Sequence, residues 1–84
     1  ETLRKYPPIE SLNRVPTADY TVPGTNHVLP KGTMTAIPVY ALHHDPEYYP
    51  EPERFDPDRF APEAVQSRPA YVFLPFGEGP RICI

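Results

Sequence analysis

The sequence predicts a loop-rich piece of a mixed fold, with short β-strands, helices of one or two turns and no long regular element. Three observations predict it. The 84 residues include 14 Pro and 4 Gly, and a proline inside a helix or central strand forfeits a backbone hydrogen bond. The runs rich in β-branched and aromatic residues are brief and end at Pro or Gly. Finally, a chain this short is marginal unless disulfides, a structural metal or a dense helical core reinforce it. Its single Cys forms no internal disulfide, and no zinc-type ligand cluster is present. Residues 1–84 are therefore expected to form part of one domain, without an internal boundary and without independent stability.

The elements follow in order. Glu1-Thr-Leu-Arg-Lys-Tyr6 favours helix, and Pro7-Pro8 stops it. No start signal precedes it, so it reads as the last turns of a helix. Asn13 to Pro16 is expected to be a short strand. Asp19–Val22 and Asn26–Leu29 flank Pro23-Gly24-Thr25, with Pro and Gly where a type II turn wants them. Pro30-Lys-Gly32 breaks the chain again before the β-rich run Thr33–Ile37, which Pro38 ends. Val39–Asp45 has room for about two helical turns. From Asp45 to Pro62 the Pro-Glu and Asp-Pro pairs are irregularly spaced, which excludes a solenoid and favours turns. Pro62–Ser67 fits one helical turn with Pro at its first position.

Composition excludes several functions. A net charge of −3 provides no basic stripe for phosphates, so no nucleic-acid partner is expected. The apolar stretch Ala36–Leu42 is far too short for a bilayer, and no signal-peptide pattern opens the chain. A lone thiol fits a reducing compartment. The only Gly-rich run leads to Cys and not to Lys-Ser/Thr, so no phosphate loop is supported, nor is a Ser/His/Asp triad. His43 and His44 are adjacent and point apart, which suits structural or solvated roles better than chelation. Tyr48, Tyr49, Phe55 and Phe60 read as packing residues, and the acids among the prolines as solvated turn residues.

Phe76-Gly77-Glu78-Gly79-Pro80-Arg81-Ile82-Cys83 carries the most chemistry. An iron-bound thiolate needs a Cys presented from a tight loop whose N–H groups temper the charge on sulfur. Two alternate glycines permit that bend. An aromatic such as Phe76 shields the sulfur from water. Arg81 is placed to reach a carboxylate beside the metal. A helix starting after the Cys would favour the thiolate through its dipole. A lone Cys is more often a small buried hydrophobe, but here the whole spacing resembles the haem-binding signature of the cytochromes P450: Phe, Gly, any residue, Gly, any, Arg, any, Cys.

A second constellation is Glu1 and Arg4, which share a helix face at i and i+3. As an exposed pair it would contribute about a few tenths of a kcal/mol. Glu-x-x-Arg also resembles the helix motif of the same family, where the pair is buried with a third Arg from a Pro-Glu-Arg-Phe segment. Pro52-Glu53-Arg54-Phe55 then implies a structural Glu1–Arg4–Arg54 triad. The resemblance covers the whole chain. Segments such as Glu1–Pro8, Leu12-Asn-Arg14 and Val39–Pro46 look like the microsomal, xenobiotic-metabolising group and, within it, the insect branch.

This resemblance implies a mainly α fold with small β-sheets. Residues 1–84 would be its β-rich and loop-rich part, from the end of the Glu-x-x-Arg helix to the Cys loop. It implies haem b held through the Cys83 thiolate, with Phe76, Gly77, Gly79 and Arg81 in the cofactor loop, and with Arg14 and Arg81 meeting the haem propionates. Pro8, Ile9, Glu10, Ser11, Leu12 and Asn13 correspond to a substrate-facing loop, in which Glu10 is more simply an exposed loop acid. The implied activity is insertion of one oxygen atom from O2 into a lipophilic small molecule. Electrons would come from an NADPH-dependent reductase, with cytochrome b5 as an optional second donor. An N-terminal anchor outside these residues would hold the protein on the cytosolic face of the endoplasmic reticulum. Both ends fall on recognisable motifs, so a partial sequence bounded by them is expected, as motif-directed amplification would give. Two rivals remain: a haem-thiolate isomerase or dehydratase working without reductase, and a non-enzymatic Pro-rich binding module that folds alone and binds no haem.

Overall fold

Helix α1 (Thr2–Lys5) ends where expected, its last amide closing from Tyr6 onto the Thr2 carbonyl before the two prolines. The computed structural model describes all of Glu1–Ile84. After a short irregular stretch comes β1 (Leu12–Arg14), then β2 (Tyr20–Thr21), β3 (Val28–Leu29) and β4 (Thr35–Ile37). Strand β1 thus starts and ends earlier than the expected Asn13–Pro16. Its pairing explains the shift: Leu12 faces Ile37, Asn13 faces Ala36 and Arg14 faces Thr35, antiparallel. Pro16 lies outside the ladder and lends its carbonyl to the Gly32 N–H at 3.0 Å.

Strands β2 and β3 form the expected hairpin, with Tyr20 opposite Leu29 and Thr21 opposite Val28. At its tip the Thr25 N–H donates to the Val22 carbonyl at 3.1 Å. Gly24 there has φ +76, which a type II turn demands and which glycine adopts without a Cβ penalty. Two separate two-stranded sheets result, β1 with β4 and β2 with β3.

Helix α2 (Val39–His43) follows β4 directly. A 3-10 turn spans Pro57–Phe60, its first N–H groups capped by Asp56, which accepts from the Asp58 N–H at 3.1 Å. Helix α3 (Pro62–Ser67) has Pro at its first turn, as the sequence requires.

The core is small. Val39, Tyr49, Val72 and Leu74 are its buried hydrophobic residues, while Tyr6, Met34 and Tyr71 are each more than 60% exposed. The radius of gyration is 14.6 Å, against about 12 Å for a packed domain of this length. The accessible surface is 6261 Å², above the roughly 5,100 Å² that a monomer of this mass presents. Of the packing aromatics, Tyr49 is fully buried but Phe55 stays on the surface at 47% exposure.

Candidate functional site

The segment Leu74–Cys83 is a succession of turns. Leu74 accepts from the Gly77 N–H at 3.4 Å, Gly79 from the Ile82 N–H at 3.1 Å, and Phe76 from the Cys83 N–H at 3.1 Å. Gly77 and Gly79 have φ of +83 and +95, conformations that a side chain would strain, so the two glycines make the bend possible. Gly77 is buried against Leu12, and the Arg14 guanidinium covers the loop, with Nη2 donating to the Glu78 carbonyl at 3.2 Å. Strand β1 therefore braces the cysteine loop. Cys83 is the chain's one thiol and is exposed, as are Phe76 and Arg81. An open thiol on a glycine-bent loop, with Arg81 two residues before it and the Arg14 guanidinium on the same loop, fits a metal carrying acidic substituents. Phe76, 46% exposed, does not shield the sulfur by itself.

A buried charge network connects to this segment through His43, whose ring accepts from the Leu74 N–H. Arg4 is fully buried. Its Nε donates to both Glu1 carboxylate oxygens at 3.0 Å, Nη2 to Glu1 Oε1 at 2.6 Å and to the Arg54 carbonyl at 3.2 Å, and Nη1 to the His43 carbonyl at 2.9 Å. The Tyr49 ring lies 5.6 Å from the guanidinium carbon. Glu1 Oε1 also accepts from the Asp56 N–H at 3.1 Å. Burial alone would raise the Glu1 pKa. The Arg4 and Asp56 hydrogen bonds and the charges of Arg4 and Arg59 outweigh it and hold the carboxyl below its ordinary value.

The third basic partner is Arg59, which corrects the expected triad. Arg59 is buried, and its Nε lies 3.5 Å from Glu1 Oε1. That Nε has no hydrogen-bond partner, while Nη2 donates to the Glu51 and Arg54 carbonyls at 2.7 and 3.2 Å. The Arg54 side chain points to solvent, 67% exposed, and meets Glu51 at 3.6 Å. Arg54 contributes only its carbonyl, which Arg4 and Arg59 share. The sequence holds a second candidate, since Pro57-Asp58-Arg59-Phe60 repeats the Pro-acid-Arg-Phe form five residues later.

Of the structural or solvated roles expected for His43, the structural one holds, for the residue is fully buried. The Leu74 N–H donates to its Nε2 at 2.9 Å, so Nε2 is unprotonated and Nδ1–H donates to the Arg4 carbonyl at 3.1 Å. Burial pushes its pKa below the ordinary 6.5; the Arg4 carbonyl opposes this, and the positive charges of His44 and Arg4 add to it. Below pH 6.5 the unfolded chain takes up the proton more readily than the native one. Stability contributed by neutral His43 is thus complete above pH 6.5 and falls as pH drops toward its lower native value. Denaturant midpoints should decline from pH 7.5 to 5.5 in the full-length protein, and His43→Gln should flatten that decline; an unchanged slope would contradict the neutral assignment. His44 faces elsewhere, its ring stacked 4.0 Å from that of Tyr40.

Of the segment expected to face substrate, Pro8–Ser11 is irregular chain bent at Pro8 and Glu10, and Leu12 and Asn13 belong to β1. Glu10 is exposed, and its carbonyl accepts from the Tyr40 N–H at 3.0 Å. The chain's two surface cavities, of about 370 and 340 Å³, are lined by residues of the stretch 48–73 and not by this segment.

Comparison with known proteins decides the family. The family described as "Cytochrome P450" matches residues 1–84, the whole chain. The chain is a cytochrome P450 sequence. It is 60% identical over its full length to probable cytochrome P450 6d4 of Drosophila melanogaster. It is 55% identical to cytochrome P450 6k1 of Blattella germanica and 54% to cytochrome P450 6A1 of Musca domestica. The insect resemblance thus holds. The chain spans only 16–17% of the length of these relatives. Membership fits haem-thiolate chemistry and an oxidoreductase, and the small sheets and short helices are consistent with a part of the P450 fold.

Proposed function

We propose that this chain is the haem-ligating part of a haem-thiolate monooxygenase, running from the end of the Glu-x-x-Arg helix to the cysteine loop. The single observation that carries the reading is the exposed Cys83 on a loop bent at two positive-φ glycines, in the spacing of the family signature. Bound haem b would supply oxygen activation, inserting one oxygen atom into a lipophilic small molecule. The chain's own residues do the rest. Cys83 provides the thiolate. Gly77 and Gly79 let main-chain N–H groups approach the sulfur. Arg14, already braced on the Glu78 carbonyl, and Arg81 offer forked donors to the propionates. Phe76 keeps water from the sulfur once the haem covers it.

Residues Pro8–Asn13 would form one wall of the substrate pocket, with the other walls supplied by the remaining polypeptide. The sparse core and large surface support the same conclusion for stability: residues 1–84 need the rest of the domain to fold. Electrons would come from an NADPH-dependent reductase, with cytochrome b5 as a possible second donor, on the cytosolic face of the endoplasmic reticulum.

The test uses the full-length protein. Its reduced carbonyl complex should show the red-shifted absorption of a thiolate-bound haem, and Cys83→Ala should abolish that band. A band retained in Cys83→Ala would remove Cys83 as the ligand, and a full-length protein lacking the band altogether would refute the reading.

A further inference from the structure

We propose that His43 is a positioning residue that pins the approach to the cysteine loop onto the buried arginine network. The imidazole bridges two segments far apart in sequence. On one side the bonds are reciprocal: Nδ1–H donates to the Arg4 carbonyl, and Arg4 Nη1 donates to the His43 carbonyl at 2.9 Å. On the other side Nε2 takes the Leu74 N–H at 2.9 Å. The Leu74 carbonyl accepts from Gly77, the first bend of the loop, and Phe76 next to it takes the Cys83 N–H. The Tyr49 hydroxyl donates to the Val72 carbonyl at 2.7 Å. The strip Val72–Gly77 is thus tied to the rest of the fold at Val72 and at Leu74, and the tie nearer the loop is an imidazole with no freedom to change tautomer. The Phe73 ring stacks on it at 5.4 Å, which fixes its plane.

Every hydrogen bond of His43 is buried, so each end has a specific replacement. Asn places an amide N–H near the position of Nδ1 and restores the bond to Arg4, but presents nothing to Leu74. Gln places its amide oxygen near the position of Nε2 and restores the acceptor for Leu74. A histidine that merely fills the core would be replaced about equally badly by both. A histidine that positions the loop is rescued by Gln and not by Asn.

The inference concerns the same site as the monooxygenase reading, and its first readout is independent of haem. In the full-length protein, backbone hydrogen exchange should quicken about tenfold at Leu74–Gly77 in His43→Asn, the effect of one lost hydrogen bond. It should stay near wild type in His43→Gln. The carbonyl band should weaken in His43→Asn and persist in His43→Gln. Unchanged exchange in His43→Asn, or equal quickening in both variants, would overturn the proposal. Should His43→Asn fail to fold, His43→Gln decides alone: wild-type exchange at Leu74–Gly77 supports the pin, and quickened exchange overturns it. If Cys83 is not the ligand, the carbonyl band is lost as a readout but the exchange result still stands.

Discussion

Arg4→Leu in the full-length protein is expected to cost about 3–5 kcal/mol, the penalty of stripping a buried ion pair of one partner. The Glu1 side chain is only 2% exposed. Without Arg4 it keeps the Asp56 N–H and a guanidinium at 3.5 Å, too little to offset burial of a carboxylate. The His43 and Arg54 carbonyls lose donors in the same step. Arg4→Lys keeps the charge but not the fork, because one ammonium cannot serve Glu1, His43 and Arg54 together. It should fall between wild type and Leu. Urea midpoints at constant slope measure all three. Since Glu1 and Arg4 act as a unit, Glu1→Leu combined with Arg4→Leu should lose less than the two single losses added. A loss below about 1 kcal/mol for Arg4→Leu, the range of exposed pairs, would mean that water reaches the network in the complete protein.

The parts of the fold legible in the sequence are those that local chemistry decides. Val22-Pro23-Gly24-Thr25 announces its turn because proline presets one dihedral and glycine alone accepts the next. Pro62 announces α3 because its missing N–H costs nothing in a first helical turn. Strand β1 is different. Its bounds follow from pairing with Thr35–Ile37, beyond an intervening hairpin, and no local signal in Leu12–Arg14 names that partner. Asn13–Pro16 looks equally extended in isolation, yet Pro16 has no N–H to give to a ladder.

The site divides along the same line. The cysteine loop could be read because its bends lie in its own glycines. The charge network was read as far as Glu1 and Arg4, which share one helical turn. Its third member could not be chosen locally, since two Pro-acid-Arg-Phe segments compete and only the 3-10 turn over Pro57–Phe60 decides which arginine faces inward. His43 escaped because its partners are 39 and 31 residues away. Beside His44 in sequence, nothing distinguished the buried ring from the exposed one.

Arg59→Ala should therefore destabilise the full-length protein by about 3 kcal/mol, as a buried cation with several charge-assisted bonds is lost, whereas Arg54→Ala should cost about 0–1 kcal/mol. The reason lies in which part of each residue is used. Arg54 supplies a carbonyl that alanine retains, and its guanidinium meets only the exposed Glu51 at 3.6 Å. Arg59 supplies its side chain, which ties the Glu51 and Arg54 carbonyls to the Glu1 carboxylate. Two buried arginines face one carboxylate, so the network carries an excess positive charge that carbonyls and the Tyr49 ring offset. Removing Arg59 relieves part of that excess, which keeps its cost below that of Arg4→Leu. The expected order of loss is Arg4→Leu, then Arg59→Ala, then Arg54→Ala, read from denaturant midpoints of the three variants. A larger loss for Arg54→Ala than for Arg59→Ala would restore the triad expected from the sequence and displace Arg59 from the network.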